Sequence, residues 1–257
     1  MKTFTAEERK KFILDYVKEN EFVDITYLKD TLLVSEMTIR RDLKKLEEEN
    51  LMEDTLIIFS SDNGFNCGHH GIWGKGNGTF PLNMYDSSVK VPLIMCHKGH
   101  IPENQVCDEM HSGYDFMPTL LEYLGFENDE ADELPGKSFL PALMGQEHKN
   151  EDGRVVVFDE YGPVRMIRSR KYKLVHRYPY GPDEFYDLEA DPGETHNGIE
   201  DEQYQDMIQD MKKQMELWFL QYVDPRIDGA KEPVMGGGQR DLAGLLGPGI
   251  NVYGENI

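Results

Sequence analysis

Residues 55–92 read TLIIFSSDNGFNCGHHGIWGKGNGTFPLNMYDSSVKVP, the densest group of chemistry-bearing side chains in the chain. The apolar run Thr55 to Phe59 predicts a short buried strand, which Ser60-Ser61-Asp62-Asn63-Gly64 brings to an end. Ligands of α/β sheets gather at such carboxyl ends. Asp62 and Asn63 set two hard oxygens side by side, the donors that Ca²⁺ or Mg²⁺ takes, and Gly64 lets the backbone turn sharply behind them. Asp-Asn-Gly after a strand is equally a plain tight turn, so the triplet alone leaves both readings open. His69, His70 and Lys75 follow on a glycine-rich loop. An ammonium is a compact point charge suited to an oxyanion, which makes Lys75 a candidate anion ligand.

The whole string says more than its parts. SSDNG, GHHG, WGKG and VKVP, in that order, resemble the second half of the sulfatases, within the alkaline phosphatase superfamily. That resemblance implies an α/β fold in which Asp62 and Asn63 bind Ca²⁺, with Mg²⁺ as the alternative ion. It also implies that Lys75 holds the sulfate of a sulfate ester, or a free sulfate ion. His70, directly before Gly71, matches a family histidine near the sulfate, and His69 is read as a loop residue.

At 257 residues with 39% hydrophobic content, the chain is long enough for one large or two modest domains. No apolar run approaches a membrane span and MKTFTAEERKKF has no signal-peptide apolar region, so no membrane partner and a cytoplasmic location are expected. Cys67, Cys96 and Cys107 are odd in number and lack metal-site spacing, which reads as reduced thiols or core residues. The net charge of −21 argues against broad nucleic-acid binding. Residues 1–50 carry 10 Lys and Arg against 12 Asp and Glu, a balance of −2, so the remaining residues carry −19. A small basic element in the first fifty residues would still bind locally.

Three short helices are expected there: Ala6 to Asn20 capped by Thr5, Ile25 to Leu33, and Glu36 to about Asn50 capped by Ser35. On the third, Ile39, Leu43 and Leu46 fall on one side and Arg40, Arg41, Lys44 and Lys45 on the other. A basic third helix suits a helix-turn-helix, although a solvated helix face carries the same pattern. VSEMTIRRDLKKLEEENL closely resembles the DNA-binding head of DeoR-type repressors, which implies duplex DNA as a partner of Ser35, Thr38, Arg40 and Arg41. Lys29 stands where that family has a small residue, Leu33 where it has a turn glycine, and no β wing follows. Leu43 to Thr55 fits both families, so the chain reads as a chimera joined there.

Tyr114 to Gly125 is read as an amphipathic helix whose apolar residues are core, with Pro118 near its first turn. GKSFLPALMG then reads as a sulfatase element packed below the site. Short strands are expected at Val155 to Phe158, Val164 to Arg168, Tyr172 to Arg177 and Glu184 to Leu188, followed by a helix from Gln203 to Tyr222. An antiparallel sheet with a packing helix is an α+β layer solution, and it resembles the small C-terminal subdomain of sulfatases. Gly236-Gly237-Gly238 follows no expected strand and reads as tail rather than phosphate loop.

The expected organisation is therefore a small all-α, winged-helix-like segment at 1–50, a partial sulfatase-like α/β portion with the site at 51–150, the antiparallel subdomain at 151–225, and a glycine-rich tail at 226–257. Sulfatases use a formylglycine made from the Cys or Ser of a C-x-[PA]-x-R element. Cys67 is followed by GHHG, Cys96 by HKGH and Cys107 by DEMH, so no cysteine here has that context. The expected function is a sulfatase-family protein that keeps the cation and sulfate ligands without the nucleophile, inactive alone. The alternative is a DeoR-type DNA-binding regulator with a sulfatase-like part. Because most of the family's central sheet precedes the Thr55 strand, an open apolar edge and association through it are also expected.

Overall fold

A computed structural model describes residues 4–20, 25–48, 52–79, 81–129, 131–146, 153–159, 163–178, 181–226 and 228–229. The chain divides into two compact units: Met1–Gly64 with Lys90–Cys107 and Leu143–Gln146, and Phe65–Val89 with Asp108–Ala142 and Glu147–Ile257. Gly236 to Gly238 lie outside the described residues. No helix among the described residues is long and apolar enough to cross a membrane.

The first unit begins with helices α1 (Ala6–Asn20), α2 (Ile25–Leu32) and α3 (Glu36–Glu48). Thr5 caps α1 reciprocally, its Oγ1 accepting from Glu8 N while Glu8 Oε2 accepts from Thr5 N. Ser35 Oγ accepts from Thr38 N at the start of α3. Ile13, Ile25, Leu28, Leu32, Ile39 and Leu46 form the buried core, Ile39 fully. A buried ion pair not legible in the apolar pattern joins α1 to α3: Arg9 Nε donates to Asp42 Oδ2 at 2.6 Å and Nη2 to Oδ1 at 3.3 Å.

Both departures from the repressor pattern have structural outcomes. Lys29 is exposed, so its bulk does not obstruct the packing of α2 on α3. Leu33 takes φ 53°, the left-handed conformation that glycine adopts without strain, and its side chain is 60% exposed.

Strand β1 (Ile57–Ser60) corrects the expectation of a buried strand. It pairs antiparallel with β2 (Leu93–Cys96), Ile57 opposite Cys96 and Ser60 opposite Leu93, and its residues are only partly buried. With a single neighbour it has no second sheet layer, but Ile57 and Phe59 pack on the helical core and Arg40 lies 5.7 Å over the Phe59 ring. A two-stranded sheet thus stands beside the three helices where no wing was expected, built from sulfatase-like sequence. Leu93 and Ile94 on β2 remain exposed.

In the second unit α4 (Asp86–Val89) follows the glycine loop, then α5 (Phe116–Leu124) and α6 (Leu140–Leu143). The apolar residues of α5 are not core as expected: Met117 and Leu124 are exposed, and only Thr119 is fully buried. Polar ties fix this short helix instead. Asp115 accepts from Ser112 N and Lys137 N, and Thr119 Oγ1 donates to Asp115 O while accepting from Phe139 N. At Gly136 a Cβ would collide with Tyr114 O, so only glycine lets the strap cross there.

Four strands then form an antiparallel meander: β3 (Val155–Phe158), β4 (Val164–Arg168), β5 (Tyr172–Arg177) and β6 (Glu184–Asp187). Alternation gives two faces. Val156, Ile167, Leu174 and Phe185 meet Ile208, Met211, Met215 and Phe219 of α7 (Gln205–Tyr222), a match to the expected sheet and helix. Val164, Met166 and Val175 on the other face cover Met84, just before α4. The sheet is therefore a platform for the segment that leads out of the glycine loop.

Candidate functional site

The loop from 65 to 79 is held by two asparagines with no apolar role. Asn66, fully buried, donates through Nδ2 to Gly74 O at 2.9 Å and Ser88 Oγ at 2.7 Å, while its Oδ1 accepts from Ser87 Oγ at 2.6 Å. Asn83, 4% exposed, donates to Gly76 O and Thr79 Oγ1 and accepts from Ser88 Oγ. Backbone bonds from Asn66 N to Gly74 O and from Asn83 N to Gly76 O close the same crossings. A Cβ at Gly76 would stand 2.9 Å from Asn83 O, so glycine is needed for that approach. The bonds to Gly74 O and Gly76 O land on the two residues flanking Lys75, whose backbone is thereby fixed while its side chain is exposed.

His70 lies exposed on the same loop at φ 53°, its ring stacked on Tyr85 with centroids 3.7 Å apart and planes within 6°. Tyr85 precedes Asp86, which belongs to a charged cluster. Lys173, with 0% exposure, donates through Nζ to Asp86 Oδ1 and Glu194 Oε1 at 2.5 Å each and to Met84 O at 3.0 Å. Arg168 adds a bidentate pair to Asp86 at 3.0 and 2.8 Å, and Glu194 Oε2 accepts from Asp86 N. Burial pushes the Asp86 carboxyl up, but the Arg168 hydrogen bonds and the Lys173 charge prevail and hold it at about 2. The cluster pins residues 84–86 to β5, and with them the ring under His70.

Asp62 and Asn63 belong to the first unit, His70 and Lys75 to the second. Asp62 is exposed and its Oδ1 accepts from Asn63 N at 2.9 Å, while Asn63 Nδ2 donates to Gly64 O at 2.7 Å. A carboxylate and an amide oxygen fit a hard cation as two donors of the six to eight that Ca²⁺ takes.

On α3, Ser35, Arg40 and Arg41 are exposed and Thr38 is half-buried. Arg40 donates to Glu36 Oε1 through Nε at 2.9 Å and Nη2 at 2.6 Å, so it would have to leave an internal partner to reach a phosphate. Cys67, Cys96 and Cys107 form no disulfide and are exposed, which removes the core alternative. Sequence reasoning passed over Asn66, Asn83, Ser88, Asp86, Lys173 and Glu194. Asn83, Asp86 and Ser88 share the polar-rich stretch Asn83-Met84-Tyr85-Asp86-Ser87-Ser88, which is their one sequence signal, and Asn66, Lys173 and Glu194 have none.

A meander sheet backed by one long helix, carrying a tethered glycine loop with an exposed lysine, defines the class as the C-terminal part of a sulfatase-type α/β protein. The chain belongs to the family described as N-sulphoglucosamine sulphohydrolase, C-terminal, which residues 68–219 match, and residues 9–56 match the DeoR-like helix-turn-helix domain. It is 28% identical over 229 residues to an N-acetylglucosamine-6-O-sulfatase of Bacteroides thetaiotaomicron, covering 84% of this chain and 39% of that one. To a multifunctional alkaline phosphatase superfamily protein of Trinickia caryophylli it is 31% identical over 201 residues, 70% of this chain and 37% of the relative. A solved structure in complex with its substrate D-glucosamine-2-N,6-O-disulfate superposes with a TM-score of 0.61 at 27% identity, covering 79% of this chain and 41% of that one. The chain thus spans about two fifths of the length of these relatives. His70 and Lys75 lie inside the matched family span, and Asp62 and Asn63 precede it.

Proposed function

We propose that this chain is the ligand-holding C-terminal portion of a sulfatase, in which Lys75 and His70 take the sulfate group of a sulfate ester. The observation that carries the reading is the Lys75 loop, whose crossings at Gly74 and Gly76 are fixed by Asn66 and Asn83 while the lysine itself is an exposed residue. Preorganised donors of this kind stabilise developing anionic charge without reorganising. Asp62 and Asn63 would hold Ca²⁺, or Mg²⁺ in its place, as two of the oxygen donors such an ion takes. Two of the relatives are named for sulfated glucosamine derivatives, which favours a sugar sulfate as the ester.

Covalent turnover needs an activated nucleophile, and no cysteine of this chain lies in the C-x-[PA]-x-R context. The chain by itself therefore holds sulfate without hydrolysing its esters. Millimolar Ca²⁺ is expected to raise the melting temperature, and Asp62→Ala to remove the rise. A folded protein indifferent to Ca²⁺, or one that turns over an aryl sulfate alone, would sink the reading.

A second reading rests on the helix-turn-helix match at 9–56 together with the capped three-helix core. In it the head binds duplex DNA through Ser35, Thr38, Arg40 and Arg41, and the sulfatase-like part is a sensor or a passenger joined to it at residues 43–55. Salt-sensitive duplex binding lost in Arg41→Ala supports it, and unchanged binding by that variant counts against it. The open strands and exposed Leu93 and Ile94 favour association with another chain, measurable by light scattering.

A further inference from the structure

Trp73 is 79% exposed, the most exposed large aromatic side chain among the described residues, and it lies two residues before Lys75. A tryptophan carries one of the largest apolar surfaces of any side chain, so leaving it in water on an anchored loop is costly unless something covers it. The indole lies beside Gly68: a Cβ added there would stand 3.6 Å from Cε2 and Cζ2 and 3.7 Å from Nε1, ordinary packing distance. Gly68 takes φ 90°, a conformation costly for any residue with a Cβ, and its N–H bonds to Ile72 O at 2.9 Å. Asn66 closes the loop at Gly74, the residue after Trp73, with two hydrogen bonds of 2.9 Å. The backbone is therefore tied on both sides of Trp73, at Ile72 by Gly68 N–H and at Gly74 by the buried Asn66.

We infer that Trp73 is a specificity-determining residue, a platform on which the pyranose ring of a sugar sulfate stacks while Lys75 takes the sulfate. This rests on the sulfate-holding reading of Lys75 and adds the residue that would recognise the sugar ring carrying the sulfate. A pyranose offers one face of C–H groups beside its hydroxyls, which suits a flat, polarisable ring in water. Preorganisation limits the side-chain ordering cost on binding, so the contact contributes to affinity rather than to loop folding.

The test titrates glucosamine 6-sulfate and inorganic sulfate separately into the full chain, into Trp73→Leu, Trp73→Phe and Lys75→Met. The wild type is expected to bind the sugar sulfate about tenfold more tightly than inorganic sulfate, the scale of one good aromatic contact, with a change in tryptophan emission only for the sugar. Trp73→Leu should lose that preference and the emission change while binding inorganic sulfate as before, and Trp73→Phe should restore most of the preference. Lys75→Met should weaken both ligands. A preference retained in Trp73→Leu would overturn the platform and leave the sulfate reading standing, whereas a wild type that binds neither ligand, or a Lys75→Met variant that binds both normally, would overturn the two together.

Discussion

Replacing Lys173 by Met keeps the length of the side chain and removes its charge from a site with 0% exposure. Two carboxylates lose their cation at once: Glu194, itself 4% exposed, and Asp86. Asp86 keeps the bidentate Arg168 pair, but Glu194 keeps only the Asp86 N–H among its bonds to this cluster. Breaking one partner of a buried ion pair costs about 3–5 kcal/mol because the remaining charge stays uncompensated. Against a domain stability of about 5–15 kcal/mol, that is a large fraction of the total. Urea unfolding followed by near-ultraviolet circular dichroism should show a midpoint shift of this size with little change in slope. The deficit should narrow in mild acid, where carboxylates deprived of their cation take up protons. Since Lys173 also holds Met84 O and Asp86 beneath the Tyr85–His70 stack, sulfate binding should weaken in parallel. A loss below about 1 kcal/mol, the value of an exposed pair, would refute the claim that this cluster is a buried support.

Asp42→Ala should cost about 3–5 kcal/mol in the first unit, because Arg9 is left buried without its carboxylate, and a thermal melt of that variant checks it. Leu33→Gly should instead stabilise by about 0.5–1 kcal/mol by relieving the left-handed backbone at an exposed position, and a fall in melting temperature would count against the strain. Acid should weaken the second unit: Asp86 sits at about 2 in the folded chain against an ordinary 3.8, so its contribution is full above pH 4 and lost as pH falls towards 2. Allowing for the screening of a partly exposed group, about 1–2 kcal/mol should disappear over that window in urea titrations run at successive pH values.

The C-terminal meander and its helix were legible almost to the residue, because β3 to β6 are short apolar runs between breakers and α7 is strongly amphipathic. The three N-terminal helices were legible for the same reason, with Thr5 and Ser35 marking two starts. Local pattern misled at β1 and α5. An apolar pentapeptide looks alike whether a sheet covers both faces or one neighbour lies beside it, and among the described residues β1 pairs only with β2. The α5 helix is fixed by Asp115 and Thr119 rather than by its apolar residues, and polar ties of this kind leave no periodic signal. The site divides along the same line. Lys75 and His70 stood out because glycines isolate them, whereas Asn66, Asn83 and Lys173, which hold the loop in place, act through bonds spanning between 4 and 89 residues.

The most direct test of the sulfate-holding account is calorimetric titration of inorganic sulfate into the intact chain at constant ionic strength. The account predicts one binding event per chain, weakened about tenfold or more by Lys75→Met, as expected for loss of a charged hydrogen-bond donor, and unchanged by Lys90→Met, fifteen positions further along. Equal binding by the wild type and Lys75→Met, in protein shown to be folded, would contradict it.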